Sequence, residues 1–265
     1  MQSRKKRLKV YSITALLVSV MFLMFLNISW KTDRDSTLNT KIVPQENIDS
    51  VAQIVTSNDL AVNYINNIYN SADLQKAGLS EKVFKKAITG FLNLKSNLNH
   101  DKQILTVVDF TKSSSEKRMW IIDLDKQKLL LNTYVAHGQG SGVDMADQFS
   151  NKAESHQSSL GFYITNETYI GKHGLSLKLD GQDLGINNEA RNRSIVVHGA
   201  TYVSEQFIKQ TGRLGRSFGC PAVPVELNDT VIGLIKDKTC LFINGKSETY
   251  QSALLNEENL ASSFL

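Results

Sequence analysis

The stretch IVVHGATYVSEQFIKQTGRLGRSFGCPAVP, residues 195–224, contains one histidine and one cysteine, which together could be a base and a nucleophile. His198 is followed by glycine, and Cys220 lies between Gly219 and Pro221. A cysteine becomes a nucleophile when a nearby base takes its proton, and histidine serves most often as that base. The alternative is a structural histidine and a buried thiol that behaves as a small hydrophobic residue.

The residues around the cysteine suit the binding of an oxyanion. Gly219 allows the backbone to approach a substrate closely. Pro221 has no N–H, so peptide donors to an oxyanion must come from Gly219, Cys220 and Phe218. The run SIVVHG predicts a buried strand ending at His198, where the Gly199 carbonyl could orient the imidazole.

The two cysteines, Cys220 and Cys240, could form a disulfide in an oxidising compartment. We expect both cysteines to be free, because a chain of 265 residues does not need a single disulfide for its stability. A zinc site is not predicted, since no second cysteine lies two to four residues from Cys220 and no His-x-x-x-His pair occurs.

The N-terminus has the pattern of a membrane signal. A basic cluster within the first nine residues precedes residues 10–30, VYSITALLVSVMFLMFLNISW, which carry no charge. About 20 apolar residues in a helix can cross a bilayer. We predict an uncleaved signal anchor with its N-terminus in the cytoplasm, and a cleaved signal peptide is the alternative. In both cases the rest of the chain is exported.

The remaining composition is that of a globular domain. Hydrophobic residues make up 41% of the chain and charged residues 21%. The net charge is only +4, and much of it comes from the N-terminal cluster, so a nucleic-acid surface is not expected.

The order of patterns along the chain predicts helices first and strands later. In the helical part, Leu60, Tyr64 and Ile68 predict one apolar stripe, and Ser80 is a candidate helix cap. Further on, SEQFIKQTG predicts a short helix with Ser204 as its cap and Gly212 as its end. We predict a signal anchor or signal peptide at 1–30, a linker at 31–47, a helical segment at 48–100, a catalytic domain at 101–247 and a C-terminal tail at 248–265.

The motif HG, followed about twenty residues later by SFGCPA, resembles the murein L,D-transpeptidase catalytic domain family, also called YkuD-like. It is most similar to an exported bacterial branch with the motif Ser-x-Gly-Cys-Pro-Ala. The resemblance covers about residues 103–245 and includes TVVDFTKSSSEKRMWIIDL, VAHGQGSG, SSLGFYITNETYIGKHGLSLKLDG and the stretch from ARNRSIVVHG to CPAVP.

The resemblance implies a mainly β domain, an L,D-transpeptidase-like β-sandwich with short helices, preceded by an α-helical segment. It implies a cysteine acyltransferase of the cell wall that needs no cofactor and acts on peptidoglycan stem peptides. It also implies a location in the periplasm or cell envelope, with anchoring in the inner membrane by the N-terminal helix.

The roles of five residues follow from the same resemblance. Cys220 would attack the carbonyl of the third residue of a tetrapeptide stem, D-alanine would leave, and an amine of another stem would resolve the thioester. His198 corresponds to the base, and Gly199 supplies the carbonyl that orients it. Ser217 is the motif serine, and Gly219 lies in the oxyanion loop.

The motif departs from the wider family in two places. Phe218 stands where a histidine is usual, which removes a polar group from the oxyanion loop. Residues 221–223 are Pro-Ala-Val, where an arginine or asparagine is common. This second change leaves open how the substrate carboxylate is held.

Five other residues are candidate substrate contacts. His173 belongs to a segment that the resemblance places near the site. Arg213 and Arg216 could compensate for the missing arginine, and a solvated basic turn is the alternative. Arg191 and Arg193 are either contacts for stem carboxylates or solvent-exposed charges.

Two other functions remain open at this point. An L,D-carboxypeptidase would form the same thioester and release it to water. A catalytically weak peptidoglycan-binding protein is the other alternative, prompted by Phe218, although both His198 and Cys220 are retained.

Overall fold

The computed structural model describes residues 59–257. The predicted membrane segment, the linker and the beginning of the helical segment lie outside the described residues. Within 59–257, no helix has both the length and the apolar character needed to cross a membrane.

The described chain begins in a helix, α1, that covers residues 59–71. Its apolar stripe is the predicted one except at the first position. Ile68 is buried and Tyr64 packs partly buried against the same core, whereas Leu60 is 55% exposed and its neighbour Ala61 is buried instead. Four-residue spacing alone does not fix which of two neighbouring positions faces the core, because tertiary contact decides it.

Helix α2, Glu81–Leu94, begins as predicted. The Ser80 side chain accepts a hydrogen bond from the Val83 N–H at 3.3 Å, which satisfies one of the free donors at the helix start. The middle of the helix lies so close to the sheet that a Cβ added to Gly90 would come within 2.0 Å of the Phe162 ring. Helix α2 therefore covers one face of the sheet.

The sheet contains eight strands in the described part of the chain: β1 (Ile104–Asp109), β2 (Met119–Asp123), β3 (Lys128–Thr133), β4 (Gly161–Gly171), β5 (Gly174–Gly181), β6 (Val196–Ala200), β7 (Ala222–Pro224) and β8 (Cys240–Asn244). Their order is β3-β2-β1-β8-β4-β5-β6-β7. Strand β8 runs parallel to β1, and β7 runs parallel to β6; the other pairs are antiparallel. The prediction of a mainly β domain with short helices is confirmed, and hydrogen bonds join its strands in one continuous order.

Alternate residues of the central strands enter two separate cores. In β1, Leu105 and Val107 pack with α1 and α2, whereas Ile104 and Val108 pack on the opposite side. This alternation follows from the two-residue period of a strand. Cys240 of β8 belongs to the core beneath α2 and is fully buried.

Two further helices flank the end of the sheet that carries the Cys220 motif. Helix α3, Glu205–Thr211, has the predicted Ser204 cap and ends at Gly212, whose φ of 78° lies in the left-handed region. Helix α4, Asn228–Ile235, follows β7 after one 3-10 turn and packs its apolar side against the second core.

Candidate active site

His198 is held inside the sheet by strand β6. It pairs with Ser176 of β5 on one side and with Ala222 of β7 on the other, and it is 3% exposed. Its Nδ1 lies 3.0 Å from the Gly199 carbonyl oxygen. Because a carbonyl can only accept, Nδ1 carries the proton, and Nε2 of the neutral ring keeps the lone pair of a base.

The His198 ring is covered by a second imidazole. His173 lies in the tight turn between β4 and β5, and its ring stacks on His198 with centroids 4.3 Å apart and planes 21° apart. The predicted contact residue His173 is therefore next to the predicted base. The stacking restricts the orientation of the His198 ring in addition to the Gly199 bond.

The loop before Cys220 requires glycine. Gly219 has a φ of 121°, in the region that L side chains rarely adopt, and a Cβ there would lie 2.9 Å from the Gln157 carbonyl oxygen. The loop also lies against Gly138, where an added Cβ would come within 2.8 Å of the Gly219 Cα. The backbone of this loop is thus tightly enclosed on two sides.

Two serine side chains fix the loop. Ser217 Oγ accepts a hydrogen bond from the Gly219 N–H at 3.1 Å and donates to the Cys220 carbonyl oxygen at 2.6 Å. Ser158 Oγ accepts from the Gly138 N–H at 3.0 Å and donates to the Gly219 carbonyl oxygen at 3.1 Å. Gly219 has therefore already used its N–H.

The peptide donors that remain for an oxyanion are those of Cys220 and Phe218. Neither N–H donates a hydrogen bond to any described residue. Phe218 is 63% exposed, and its ring lies 4.5 Å from the His156 ring, between centroids. The exposed Phe218 ring is thus paired with the half-buried His156 ring beside the loop.

The Cys220 sulfur is partly exposed and lies against the beginning of β6. Sγ is 3.5 Å from the Val196 N–H, two residues before His198, and 3.7 Å from the Ser194 carbonyl oxygen. Within the described chain these are its only hydrogen-bond partners, so no hydrogen bond joins it to His198. The pairing of β6 with β7 places Cys220, two residues before Ala222, next to the strand that carries His198.

Burial makes both titratable groups neutral. It raises the pKa of the Cys220 thiol, and the Val196 N–H and the Arg193 charge counteract this only in part. Burial also lowers the pKa of His198, and His173 and Lys172 act in the same direction. At neutral pH the site therefore contains a thiol and a free imidazole instead of an ion pair.

A cavity of about 420 Å³ lies beside the start of β6, and its wall includes Ser194 and Val196, the two residues that Sγ contacts, but neither Cys220 nor His198. The other residues of its wall are Tyr169, Lys178, Arg191 and Ile195. This volume is in the range of small-ligand sites.

The predicted arginine contacts bond to backbone carbonyls. Nη1 of Arg213 donates to the Leu214 oxygen at 2.6 Å, and Nη1 of Arg216 donates to the Gly142 oxygen at 2.8 Å and the Gln139 oxygen at 3.3 Å. In each case Nε and Nη2 have no bond to a described residue and keep donors for a ligand.

Arg191 and Arg193, which the sequence leaves equivalent, have different surroundings. Arg191 is exposed and bonds to Asp180 and Glu167, with Nη2 to Asp180 Oδ2 at 2.8 Å. Arg193 turns inwards and lies behind the nucleophile loop, where its Nη2 is 3.5 Å from the Cβ position of Gly219. The only feature of the sequence that pointed to Arg193 was its position five residues before His198. That feature does not predict which of Arg191 and Arg193 turns inwards.

The model of one protein family matches residues 75–244, and its description is L,D-transpeptidase catalytic domain (YkuD_2). The match covers the whole sheet, His198 and the SFGCPA motif. The chain belongs to this L,D-transpeptidase catalytic domain family. At the level of the family, it is therefore placed among enzymes of peptidoglycan metabolism.

Solved structures of other bacterial proteins are similar to this chain at low identity. The helical cell shape determining protein Pgp2 from Campylobacter jejuni is 15% identical with a TM-score of 0.39, over 68% of this chain and 58% of that chain. An L,D-transpeptidase from Mycobacterium smegmatis is 9% identical with a TM-score of 0.34, over 54% of this chain and 59% of that one. The chain thus spans less than two thirds of these relatives. Such scores carry no weight for the activity, and no curated protein matches the chain.

Proposed function

We propose that this L,D-transpeptidase family member cleaves the bond between the third and fourth residues of a peptidoglycan tetrapeptide stem through a Cys220 thioester. It then transfers the acyl group to an amine of another stem. The observation that carries this proposal is the partly exposed Cys220 sulfur against β6, the strand on which His198 keeps a free Nε2 lone pair.

The first half of the reaction uses the neutral pair. His198 Nε2 takes the thiol proton as Cys220 Sγ forms a bond to the carbonyl carbon of the third residue. The N–H groups of Cys220 and Phe218 face the developing oxyanion, because the Gly219 N–H is bonded to Ser217. When the tetrahedral intermediate collapses, the C–N bond breaks, and the imidazolium protonates the D-alanine amine that leaves.

The second half of the reaction reverses these steps. The amine of an acceptor stem attacks the thioester carbonyl, His198 removes a proton from that amine, and the C–S bond breaks to restore the thiol. Water in place of the amine would give a carboxypeptidase product. The acceptor is therefore selected by what the cleft holds, which includes the cavity beside the start of β6.

Several positions belong to the same proposal. His173 is both a support for the His198 ring and a wall of the substrate cleft, and Arg213 and Arg216 offer their unused donors to stem carboxylates. We also propose that residues 1–30 anchor or export the protein, that 31–47 link this segment to the domain, and that the domain acts in the cell envelope.

The test is a product analysis. The exported part of the chain is incubated with a tetrapeptide stem, with and without a second stem as acceptor, and the products are identified by mass. A cross-linked dimer that requires the acceptor supports transfer. A tripeptide alone would assign the carboxypeptidase, and unchanged tetrapeptide with folded protein would overturn the proposal.

A further inference from the structure

Arg193 forms a clamp across the segment that faces the nucleophile loop. Its Nη1 donates to the Ser150 carbonyl oxygen at 2.7 Å and to Ser159 Oγ at 2.7 Å. Its Nη2 donates to the Gln157 carbonyl oxygen at 2.7 Å and to Ser155 Oγ at 3.1 Å. The guanidinium thus holds four acceptor oxygens of residues 150–159 at once, because its planar group presents several N–H donors in a fixed geometry.

The same group lies next to the peptide that precedes the nucleophile. A Cβ on Gly219 would be 2.9 Å from the Gln157 oxygen that Arg193 holds, and 3.5 Å from Arg193 Nη2 itself. The Nε atom is buried and has no hydrogen-bond partner. A buried charge with a spare donor is costly unless it serves a nearby group.

Few other charges face the sulfur. Lys172, in the turn between β4 and β5, and Arg193 both lower the pKa of the Cys220 thiol, and the other titratable groups on this side are Tyr202 and the neutral His198. Lys172 is exposed, so solvent screens its charge. Arg193 is half-buried behind the loop and is screened less.

We propose that Arg193 is a positioning residue for the Cys220 nucleophile, which holds the Gln157 side of the loop in place and stabilises the thiolate by its charge. The role rests on the proposed function, because it concerns the thiolate that attacks the stem.

The experiment measures the rate of Cys220 alkylation by iodoacetamide against pH, with peptide mapping to separate Cys220 from Cys240. The variants are Arg193→Gln, which keeps hydrogen-bonding groups but loses the charge, and Arg193→Lys, which keeps the charge but loses the fork. Arg191→Gln is the matched control for the midpoint of this titration, because its bonds go to Asp180 and Glu167.

We expect Arg193→Gln to raise the alkylation midpoint by about one pH unit. Arg193→Lys should keep the wild-type midpoint while acylation by a carbapenem slows at least several-fold, and Arg191→Gln should keep the midpoint. An unchanged midpoint in folded Arg193→Gln would overturn the role of the charge. If Arg193→Gln does not fold, Arg193→Lys provides the test. Acylation of Arg193→Lys at the wild-type rate would overturn the proposal that the guanidinium positions the loop. A raised alkylation midpoint in Arg193→Lys would overturn the proposal that the charge stabilises the thiolate.

The outcome separates the two proposals. Alkylation reports the thiol without any cell-wall substrate, so its midpoints decide the role of Arg193 even if the wild-type protein leaves every stem peptide unchanged. Failure of acylation in the wild type would instead count against the proposed function.

Discussion

Burial shifts the pKa values of Cys220 and His198 in opposite directions, and both shifts favour the neutral form of the group. The thiol pKa rises and the imidazole pKa falls, so neither group is charged at neutral pH. In the proposed reaction, the nucleophile is generated when His198 Nε2 takes the thiol proton. A resting site of this kind protects the cysteine from oxidation, because the thiolate is the reactive form.

The pH dependence of acylation tests this arrangement. Only neutral His198 can accept the thiol proton, and its pKa is lowered from the ordinary 6.5. The rate of carbapenem acylation should therefore stay nearly constant as the pH falls to 6.5, and it should decline only at lower pH. The check is stopped-flow or mass-based rate measurement from pH 4.5 to 8. If the rate instead falls to half its maximum at a pH above 6.5, this would contradict the conclusion that burial lowers the pKa of His198.

Single residues also mark how far the sequence could be interpreted. The flanking glycines draw attention to His198 and Cys220, but their roles as base and nucleophile rest on the family resemblance and stay a prediction. The sequence does not show that the Gly219 N–H is used by Ser217, since that bond depends on the conformation of the loop. Nor does it separate Arg193 from Arg191, because burial is decided by segments more than thirty residues away in the chain.

At the scale of elements, the nucleophile loop depends on two serine hydroxyls that bridge neighbouring segments. We expect Ser217→Ala to slow carbapenem acylation by about tenfold, because it releases the Gly219 N–H and the Cys220 carbonyl together. Ser80→Ala is the control, since it also removes a hydroxyl bonded to a backbone N–H but lies at the start of α2. Equal rates for the two variants would show that the Ser217 bonds do not position the loop.

A buried histidine fixes the neighbouring turn and links its stability to pH. The His137 side chain accepts from Arg118 Nη2 at Nδ1 and donates from Nε2 to the Gly142 carbonyl. Burial, and then the Arg118 charge, lower its pKa to about 4. The unfolded chain therefore binds a proton first as the pH falls from about 6.5 to about 4, and folding loses up to about 3 kcal/mol over that range.

The measurement is urea unfolding at several pH values for the wild type and His137→Gln. The glutamine can accept from Arg118 and donate to Gly142 without titrating, so its stability should vary less between pH 6.5 and 4. Parallel pH curves for the two proteins would contradict the assignment of this loss to His137.

The elements themselves were predictable to different degrees. The caps of α2 and α3 follow from Ser80, Ser204 and Gly212, which act locally. The stripe of α1 was right at Tyr64 and Ile68 and wrong at Leu60, because four-residue spacing does not distinguish Leu60 from the neighbouring Ala61. The parallel pairing of β1 with β8 joins segments more than a hundred residues apart, and no local pattern encodes it.

At the scale of the whole molecule, the helical segment and the sheet act as one folded unit through a close contact. We expect Gly90→Ala to destabilise the protein by about 1–3 kcal/mol, because the new methyl group would overlap the buried Phe162 ring. Gly233→Ala is the matched control: it lies in α4 with open space around its Cβ and should stabilise by up to about 1 kcal/mol. Chemical denaturation checks both values, and a stabilised Gly90→Ala would contradict the packing of α2 on the sheet.

The central claim is that Cys220 is the residue that carries the acyl group. The most direct measurement is intact mass after incubation with a carbapenem, followed by peptide mapping, for the wild type, Cys220→Ala and Cys240→Ala. We predict one adduct on Cys220 in the wild type and none in Cys220→Ala. Cys240→Ala should be labelled nearly fully, because the Cys240 thiol that it lacks lies in the core under α2. An unmodified wild-type mass with folded protein, or an adduct that persists in Cys220→Ala, would contradict the account.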